Sequence, residues 1–349
     1  MKFPIFCVLL RLDMKIVIDD KIPYIRPAIE ELGVEARYIK GADISATDVK
    51  DADALIVRTR THCDRSLLEG SKVQFIATAT IGFDHIDTDY LKEAGISWTN
   101  CPGCNAASVG QYLRSSLLLL QRDFSLCLSK STVGIVGCGH VGSEVLKVAH
   151  ELGMHVLVCD PLITPIPNVE MVDMNRIEKD ADVITFHVPL TLAGPCPTFH
   201  LADNGFFSRL RQKPFIINTS RGQVVDNEAL LEALEKGYVK QAIIDTWEHE
   251  PHISLSLLQK VYIGTPHIAG YSADGKVNAD NMVIKALCEY FHLPRPHTII
   301  PPSLPTDFVY NGNPLQLYNP LIDSEHLKTH PEMFEDLRGN YPIRRESVS

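Results

Sequence analysis

The stretch 132–160, reading TVGIVGCGHVGSEVLKVAHELGMHVLVCD, constrains what this chain can fold into more than any other. A largely β-branched run over 133–136 leads directly into Gly137-Cys138-Gly139-His140-Val141-Gly142. A helical pattern follows, with Val141, Val145, Leu146, Val148, Ala149 and Leu152 recurring at threes and fours. Gly153 then breaks the helix, and a second strand, His155–Cys159, ends on Asp160. Strand, glycine turn, helix, strand and terminal carboxylate together make the βαβ unit of a dinucleotide site. Gly137 permits the tight turn, Gly139 lets backbone approach a pyrophosphate, and Gly142 lets the helix pack close to the strand. The helix N-terminus, at His140 and Val141, offers unpaired N–H groups to the anion. Asp160 stands 18 residues beyond Gly142, where a carboxylate accepts both ribose hydroxyls and repels a 2′-phosphate. The expected cofactor is therefore NAD. Six residues of glycine motif alone carry little information; their setting between two strands makes them specific.

The chain's 349 residues suffice for two domains with sizeable cores. A hydrophobic fraction of 45% with 22% charged residues is that of an ordinary globular protein. The net charge of -10 argues against a nucleic-acid partner, which needs a basic face. No apolar run approaches the ~18 residues that span a bilayer, so no membrane association is expected. The nine cysteines are scattered, and Cys138, Cys159 and Cys288 fall inside core-like segments, which reads as reduced thiols in a cytoplasmic protein. Cys101 and Cys104 form a lone CxxC around Pro102-Gly103; a loop accounts for it better than a zinc or redox site, and no metal is expected. The first 13 residues hold one short apolar run, 5–10, without a cleavage pattern, so the domain is expected to begin at Met14.

Buried strands are expected at Lys15–Asp19, Ala54–Val57 and 73–78, separated by helical patterns such as 25–32 and 67–70. Tandem strand–helix alternation predicts a parallel sheet, and the absence of a glycine turn sets this part apart from the nucleotide site. A long helix over 104–121, with a leucine run 117–120 buried all round, carries the chain into the next domain. There the strands continue through Val183–Phe186, Phe215–Asn218, 242–245 and 261–264, with a helix over 227–234 capped by Asp226. A second long helix, 279–291, brings the chain back. Prolines crowd 294–319, which reads as a linker or extended arm, and weak helical character returns around 331–337. The expected architecture is α/β: two doubly wound parallel-sheet domains and a short C-terminal region. Residues 14–107 and 272–293 form a flavodoxin-like substrate domain, 108–271 an inserted Rossmann-like NAD domain, and 294–349 a C-terminal arm.

Three stretches stand at expected strand ends of the nucleotide domain: Ile217-Asn218-Thr219-Ser220-Arg221-Gly222, Asp245-Thr246-Trp247-Glu248-His249-Glu250-Pro251, and Thr265-Pro266-His267-Ile268-Ala269-Gly270-Tyr271. Ligands of open α/β sheets bind beyond the carboxyl ends of strands. A guanidinium such as Arg221 holds a carboxylate by two parallel hydrogen bonds. An imidazole such as His267 takes a hydroxyl proton near neutral pH, and a neighbouring carboxylate such as Glu250 orients it. With a nicotinamide, these groups suit oxidation of a 2-hydroxy acid. Singly each is as well explained as a surface charge or a turn contact; together, at successive strand ends, they point to chemistry. His85, His140, His187 and His249 belong to no such set.

At these residues the chain resembles the D-isomer-specific 2-hydroxyacid dehydrogenase family, from Met14 to about Phe291. The resemblance is carried by Val57-Arg58-Thr59, Ala77-Thr78-Ala79-Thr80, Gly82-Phe83-Asp84-His85, Ala94-Gly95-Ile96 and Pro102-Gly103-Cys104-Asn105-Ala106, and by the second and third of those loops. It implies that Arg221 binds the substrate carboxylate, that Glu250 pairs with the histidine, and that His267 is the acid/base. It implies that Thr59, Thr80 and Tyr271 touch substrate. It also implies that Asp160, Val188, Thr219, Ser220, Arg221, Asp245 and Gly270 line the NAD site. Glu332-Met333-Phe334-Glu335-Asp336-Leu337-Arg338 and Asn340-Tyr341 resemble part of a C-terminal dimerisation region, which implies a homodimer, although the region is short here.

Within the family the loops resemble members acting on a phosphorylated small hydroxy acid, which requires a second cation besides Arg221. Arg58 is preferred, with Arg60 beside it. Arg338 or Arg344 reaching in from a partner subunit is an alternative, as is the reading that all of these are solvated charges. Members acting on 3-phosphoglycerate, glyoxylate or lactate are rival readings. So is a non-catalytic NAD(H)-sensing protein on the same scaffold, which the intact Arg221, Glu250 and His267 set disfavours.

Overall fold

The computed structural model describes residues 13–348, so the leader expected over the first residues lies, apart from Asp13, outside the described residues. The chain divides into two compact units: residues up to Asn105 with Ala273–Ser303, and Ala106–Ser272 with the chain from Leu304 onward. Among the described residues no helix is long and apolar enough to cross a membrane.

The first unit is a five-stranded parallel sheet of β1 (Lys15–Asp19), β2 (Glu35–Ile39), β3 (Ala54–Val57), β4 (Phe75–Thr78) and β5 (Ser97–Thr99), in the order β2-β1-β3-β4-β5. Every residue of β3 and β4 is buried, as their unbroken apolar runs require of strands covered on both faces. The edge strands β2 and β5 alternate partly exposed residues and carry no such run, which is why sequence pattern misses them. The helix Ala273–Phe291 lays Val283, Leu287 and Phe291, one turn apart, against a core with Ile16, Ile56 and Phe75. It starts six residues earlier than its apolar pattern suggests, because Gly275 and Asn278 dilute the first turns.

The second unit is a seven-stranded parallel sheet of β6 (Thr132–Val136), β7 (His155–Cys159), β8 (Glu170–Met171), β9 (Val183–Phe186), β10 (Phe215–Asn218), β11 (Gln241–Ile244) and β12 (Ile263–Gly264). Its order is β12-β11-β10-β9-β6-β7-β8, so the direction of winding reverses between β9 and β6. Alternate strand residues feed two cores: Ile184, Phe186, Ile216 and Ile244 on one face, Val183, Phe215, Ile217 and Ile243 on the other. The helix Ala106–Phe124 buries Leu117, Leu119 and Leu120 but leaves Leu118 half-buried, so the leucine run has a rim rather than complete enclosure.

The tail is more ordered than its prolines suggest. Helices Pro314–Leu317 and Pro320–Thr329 begin on prolines whose missing N–H costs nothing at a first helical position, with Asn313 and Asn319 as caps. Leu327 and Phe334 enter the core with Trp247, Leu257 and Leu258, and Ser324 Oγ accepts from Gly264 N at 2.9 Å. A helix that buries a serine among few apolar residues gives almost no periodic signal.

Asp280, on the helix Ala273–Phe291, is 1% exposed, and its carboxylate accepts from Tyr24 N at 3.2 Å. Burial pushes this carboxyl up to about 7, against the pull of Tyr24 N–H, Arg58 and Lys276. The unfolded chain loses this proton near the ordinary aspartate value, the folded chain only near 7; native stability therefore falls as pH rises between those values and levels off above. Asp280→Asn is expected to remove that fall. Its gain over the native chain, read from urea midpoints, should grow by roughly 2–3 kcal/mol between pH 5 and pH 8; an unchanged difference at the two pH values would contradict it.

Candidate active site

All strands of the second sheet are parallel, so the segments that leave their carboxyl ends lie along one edge. At the reversal between β9 and β6 sits the glycine turn. Gly137 has φ +87°, and a Cβ there would stand 2.7 Å from Val188 Cγ1 and 2.8 Å from the His187 carbonyl. A Cβ on Gly142 would lie 2.1 Å from the Gly137 carbonyl, so only glycine lets the helix His140–Glu151 start so close to the strand. A Cβ on Gly139, by contrast, would meet nothing within 4 Å. The turn is thus packed behind and open in front, at a helix N-terminus whose first N–H groups have no intrahelical acceptor. Asp160, half-buried at the end of β7, accepts from Cys138 N at 2.8 Å and Leu162 N at 3.1 Å, which fixes its carboxylate beside the turn. This cradle fits a dinucleotide pyrophosphate with its ribose toward Asp160.

The loop after β10 is held by Asn218, whose side-chain oxygen accepts from Ser220 N (3.1 Å) and Ser220 Oγ (2.8 Å) while its Nδ2 donates to the Arg221 carbonyl (3.0 Å). Gly222 follows because a Cβ there would lie 1.9 Å from the Trp247 carbonyl. Arg221 emerges half-buried, with Nη1 donating to the Ser220 carbonyl at 2.9 Å. Thr219 Oγ1 lies 3.4 Å from His187 Nδ1, and burial drops His187 to about 3, so this imidazole is a neutral part of the scaffold.

Asp245, directly after β11, is buried and organises the last loop. Its carboxylate accepts from Thr265 Oγ1 (2.6 Å), Ile268 N (2.8 Å) and Ala269 N (3.0 Å), and its carbonyl from His267 N (2.8 Å). Held this way, His267 adopts φ +56°, a left-handed backbone that a side chain takes only when its surroundings dictate it. Its Nδ1 lies 2.8 Å from Glu250 Oε2, and Glu250 Oε1 accepts from Trp247 N at 2.8 Å. The carboxylate is acceptor-only, so Nδ1 carries the proton and Nε2 is the ring nitrogen left to exchange one. Burial works against the Glu250 charge more than any other single effect. The His267 charge and hydrogen bond, Trp247 N–H and Arg338 together outweigh it, and the carboxyl lies below the usual glutamate range.

Three sets of contacts have no signal in the sequence. Arg338 Nε donates to Tyr271 Oη at 3.1 Å. Arg344 is 4% exposed and donates to the carbonyls of Ile268 (3.3 Å), Ala269 (2.6 Å) and Ser108 (3.4 Å), bracing the loop after His267 from the tail. His200, Asp226 and Glu248 converge with ligand-type atoms within 4.8 Å of one another, although no spacing in the sequence suggests it. Direct pairing accounts for that group: His200 Nε2 lies 2.7 Å from Glu248, whose other oxygen accepts from Asn227 N at 2.9 Å. Their separations of 21 and 48 residues leave no local signal.

In the first unit, Arg58 and Thr80 follow β3 and β4 and so lie toward one edge of that sheet. Arg58 Nη1 donates to the Lys21 carbonyl at 2.9 Å, and its Nε stands 3.8 Å from buried Asp19. Thr59 is exposed. Thr80 Oγ1 donates to the Gly82 carbonyl at 2.8 Å and shares a 2.7 Å hydrogen bond with Thr78, which lies 2.9 Å from His85 Nε2. Burial drops His85 to about 4. Cys101 and Cys104 are buried and form no disulfide, the former thiol donating to the Thr78 and Ala279 carbonyls.

Residues 111–269 match the model of the D-isomer specific 2-hydroxyacid dehydrogenase, NAD binding domain. Erythronate-4-phosphate dehydrogenase of Bacteroides thetaiotaomicron is 54% identical over 95% of this chain and 97% of its own, and that of Porphyromonas gingivalis 40% identical over 95% and 94%. The chain belongs to the D-isomer specific 2-hydroxyacid dehydrogenase family. The NAD-bound 3-phosphoglycerate dehydrogenase of Entamoeba histolytica superposes with a TM-score of 0.68 at 26% identity, covering 84% of this chain and all of that one. As a family member the chain is an NAD-dependent dehydrogenase acting on a CH–OH group, built on two parallel-sheet α/β domains.

A depressed folded pKa makes Glu250 stabilising above the ordinary glutamate value, and that contribution disappears as pH falls through the folded value. The stability gap between the native chain and Glu250→Gln should therefore close as pH drops from 7 to 3. A gap that stays constant in urea titrations across that range would show that the charge is not what Glu250 contributes.

Proposed function

We propose that this dehydrogenase oxidises 4-phospho-D-erythronate to (R)-3-hydroxy-2-oxo-4-phosphobutanoate with NAD, as a cytoplasmic enzyme of pyridoxal 5′-phosphate biosynthesis. The names of relatives spanning nearly the whole chain support the substrate. The observation that carries the chemistry is the 2.8 Å Glu250–His267 pair, on loops that leave the same sheet edge as the glycine turn. Gly137, Gly139, His140, Val141 and Gly142 would hold the pyrophosphate, and Asp160 the adenosine ribose. Val188, Thr219, Ser220, Asp245 and Gly270 would line the rest of the site. When bound, NAD supplies the acceptor for the hydride of the C2–H bond.

Every other part of the reaction belongs to side chains. His267 Nε2 takes the C2 hydroxyl proton, and the imidazolium so formed is stabilised through Nδ1–H by Glu250. Arg221 holds the substrate carboxylate and draws electron density toward the oxygen that becomes the C2 carbonyl. Carbon C2 loses a hydride and the hydroxyl a proton, so the alcohol becomes a ketone and one proton is released. Residues 14–107 and 272–293 are read as the substrate domain, with Thr59, Thr80 and Tyr271 as substrate contacts and Arg58 beside them. Residues 294–349 are read as the arm of a homodimer.

His267→Ala is expected to lower kcat by 10²–10⁴-fold, roughly the worth of one acid/base group, with NADH affinity unchanged. Near-native turnover would remove His267 from the mechanism. In the native chain kcat/KM should be highest for 4-phosphoerythronate when compared with 3-phosphoglycerate, glyoxylate and lactate. A preference for any of those would reassign the substrate.

A further inference from the structure

Arg338 leaves the short helix Phe334–Gly339 and brings its guanidinium to the loop after His267. Its Nε donates to Tyr271 Oη at 3.1 Å, and its Cζ lies 5.8 Å from the centre of the Tyr271 ring. The side chain is 23% exposed, and its charge is felt by Glu250. No hydrogen bond joins it to Glu250, whose two oxygens accept from Trp247 N and pair with His267 Nδ1. Glu335 stands 3.9 Å from Nη1, beyond hydrogen-bond reach. Among the described residues, then, the two Nη groups of a largely covered cation have no hydrogen-bonded acceptor.

Arg344 and Arg58 are engaged differently. Arg344 places both Nη groups on backbone carbonyls, and Arg58 is tied to the Lys21 carbonyl and Asp19. Two parallel donors on a fixed plane match a phosphate better than any other small anion-binding group in a protein. Tyr271 strengthens the arrangement: a phenol oxygen that accepts from a cation becomes a better donor through its own O–H. Tyr271 follows His267 by four residues and Glu250 feels the Arg338 charge, so an anion held here is bound close in sequence and space to the Glu250–His267 pair.

We propose that Arg338, contributed by the chain's own C-terminal segment, binds the terminal phosphate of the substrate with Tyr271 as a second donor, and so selects a phosphorylated acid. The proposal rests on the reading of 4-phosphoerythronate as substrate. It differs from the sequence expectation, which preferred Arg58 and gave Arg338 only as a cation reaching in from a partner subunit.

The test compares the native full-length enzyme with Arg338→Gln and Arg338→Lys, on 4-phosphoerythronate and on erythronate without its phosphate. Removing a charged hydrogen-bond pair should raise KM for the phosphorylated acid roughly 10- to 100-fold, with a much smaller effect on kcat. The kinetics with erythronate should change less than about twofold, since that acid never used the contact. Arg338→Lys should fall between, and inhibition of the native enzyme by inorganic phosphate should weaken in Arg338→Gln. Unchanged NADH affinity in both variants verifies that the second unit is folded. Equal losses on the two acids would make Arg338 a mere support for Tyr271, and an unchanged KM would place the phosphate elsewhere; either overturns the assignment. A native enzyme that does not prefer 4-phosphoerythronate over erythronate would instead overturn the substrate reading, before any variant is compared.

Discussion

The buried carboxylate of Asp245 is the constraint on which the candidate site depends. It takes three hydrogen bonds from the segment Thr265–Ala269, and the Asp245 carbonyl takes a fourth from His267 N. A charged acceptor in a buried place is tolerable only when its oxygens are this fully used. In return the loop is held with a left-handed backbone at His267 that no local preference would choose. Glu250 can then meet Nδ1 at 2.8 Å and settle which nitrogen faces outward. Thr265 is itself tied to Tyr112 of the long helix Ala106–Phe124, so the loop is anchored on two sides.

The tail of the chain belongs to the same construction. Arg344 reaches carbonyls of Ile268 and Ala269, the residues whose N–H groups Asp245 holds, so this short segment is fixed from both its donors and its acceptors. Glu346 accepts from Ser108 and Ser272, which stand near two of the three points where the chain passes between its compact units. Leu327 and Phe334 anchor the same tail in the core with Trp247. A segment that looks in sequence like a proline-rich appendage is thereby part of the packing beneath the candidate site.

Much of the fold was legible because parallel sheets covered on both faces demand unbroken apolar runs. Segments such as 54–57, 183–186 and 215–218 announce themselves in that way. Edge strands β2, β5 and β8 did not, since half of their surface faces water. The tail helices were hidden for a related reason: they bury a few isolated side chains, and one of those is a serine.

By itself the sequence determined the glycine turn, with Asp160 at the end of the following strand, and the order of Arg221, Glu250 and His267 along the chain. Turn chemistry and cofactor preference depend on residue type at short spacing, and short spacing survives in one dimension. Only the tertiary structure decided which groups meet. It paired Glu250 with His267 across 17 residues, Arg338 with Tyr271 across 67, and Arg344 with Ala269 across 75. Contacts at such separations depend on how strands are ordered in the sheet and where the tail returns to it. Those are properties of packing, with no periodicity or spacing in the chain to record them.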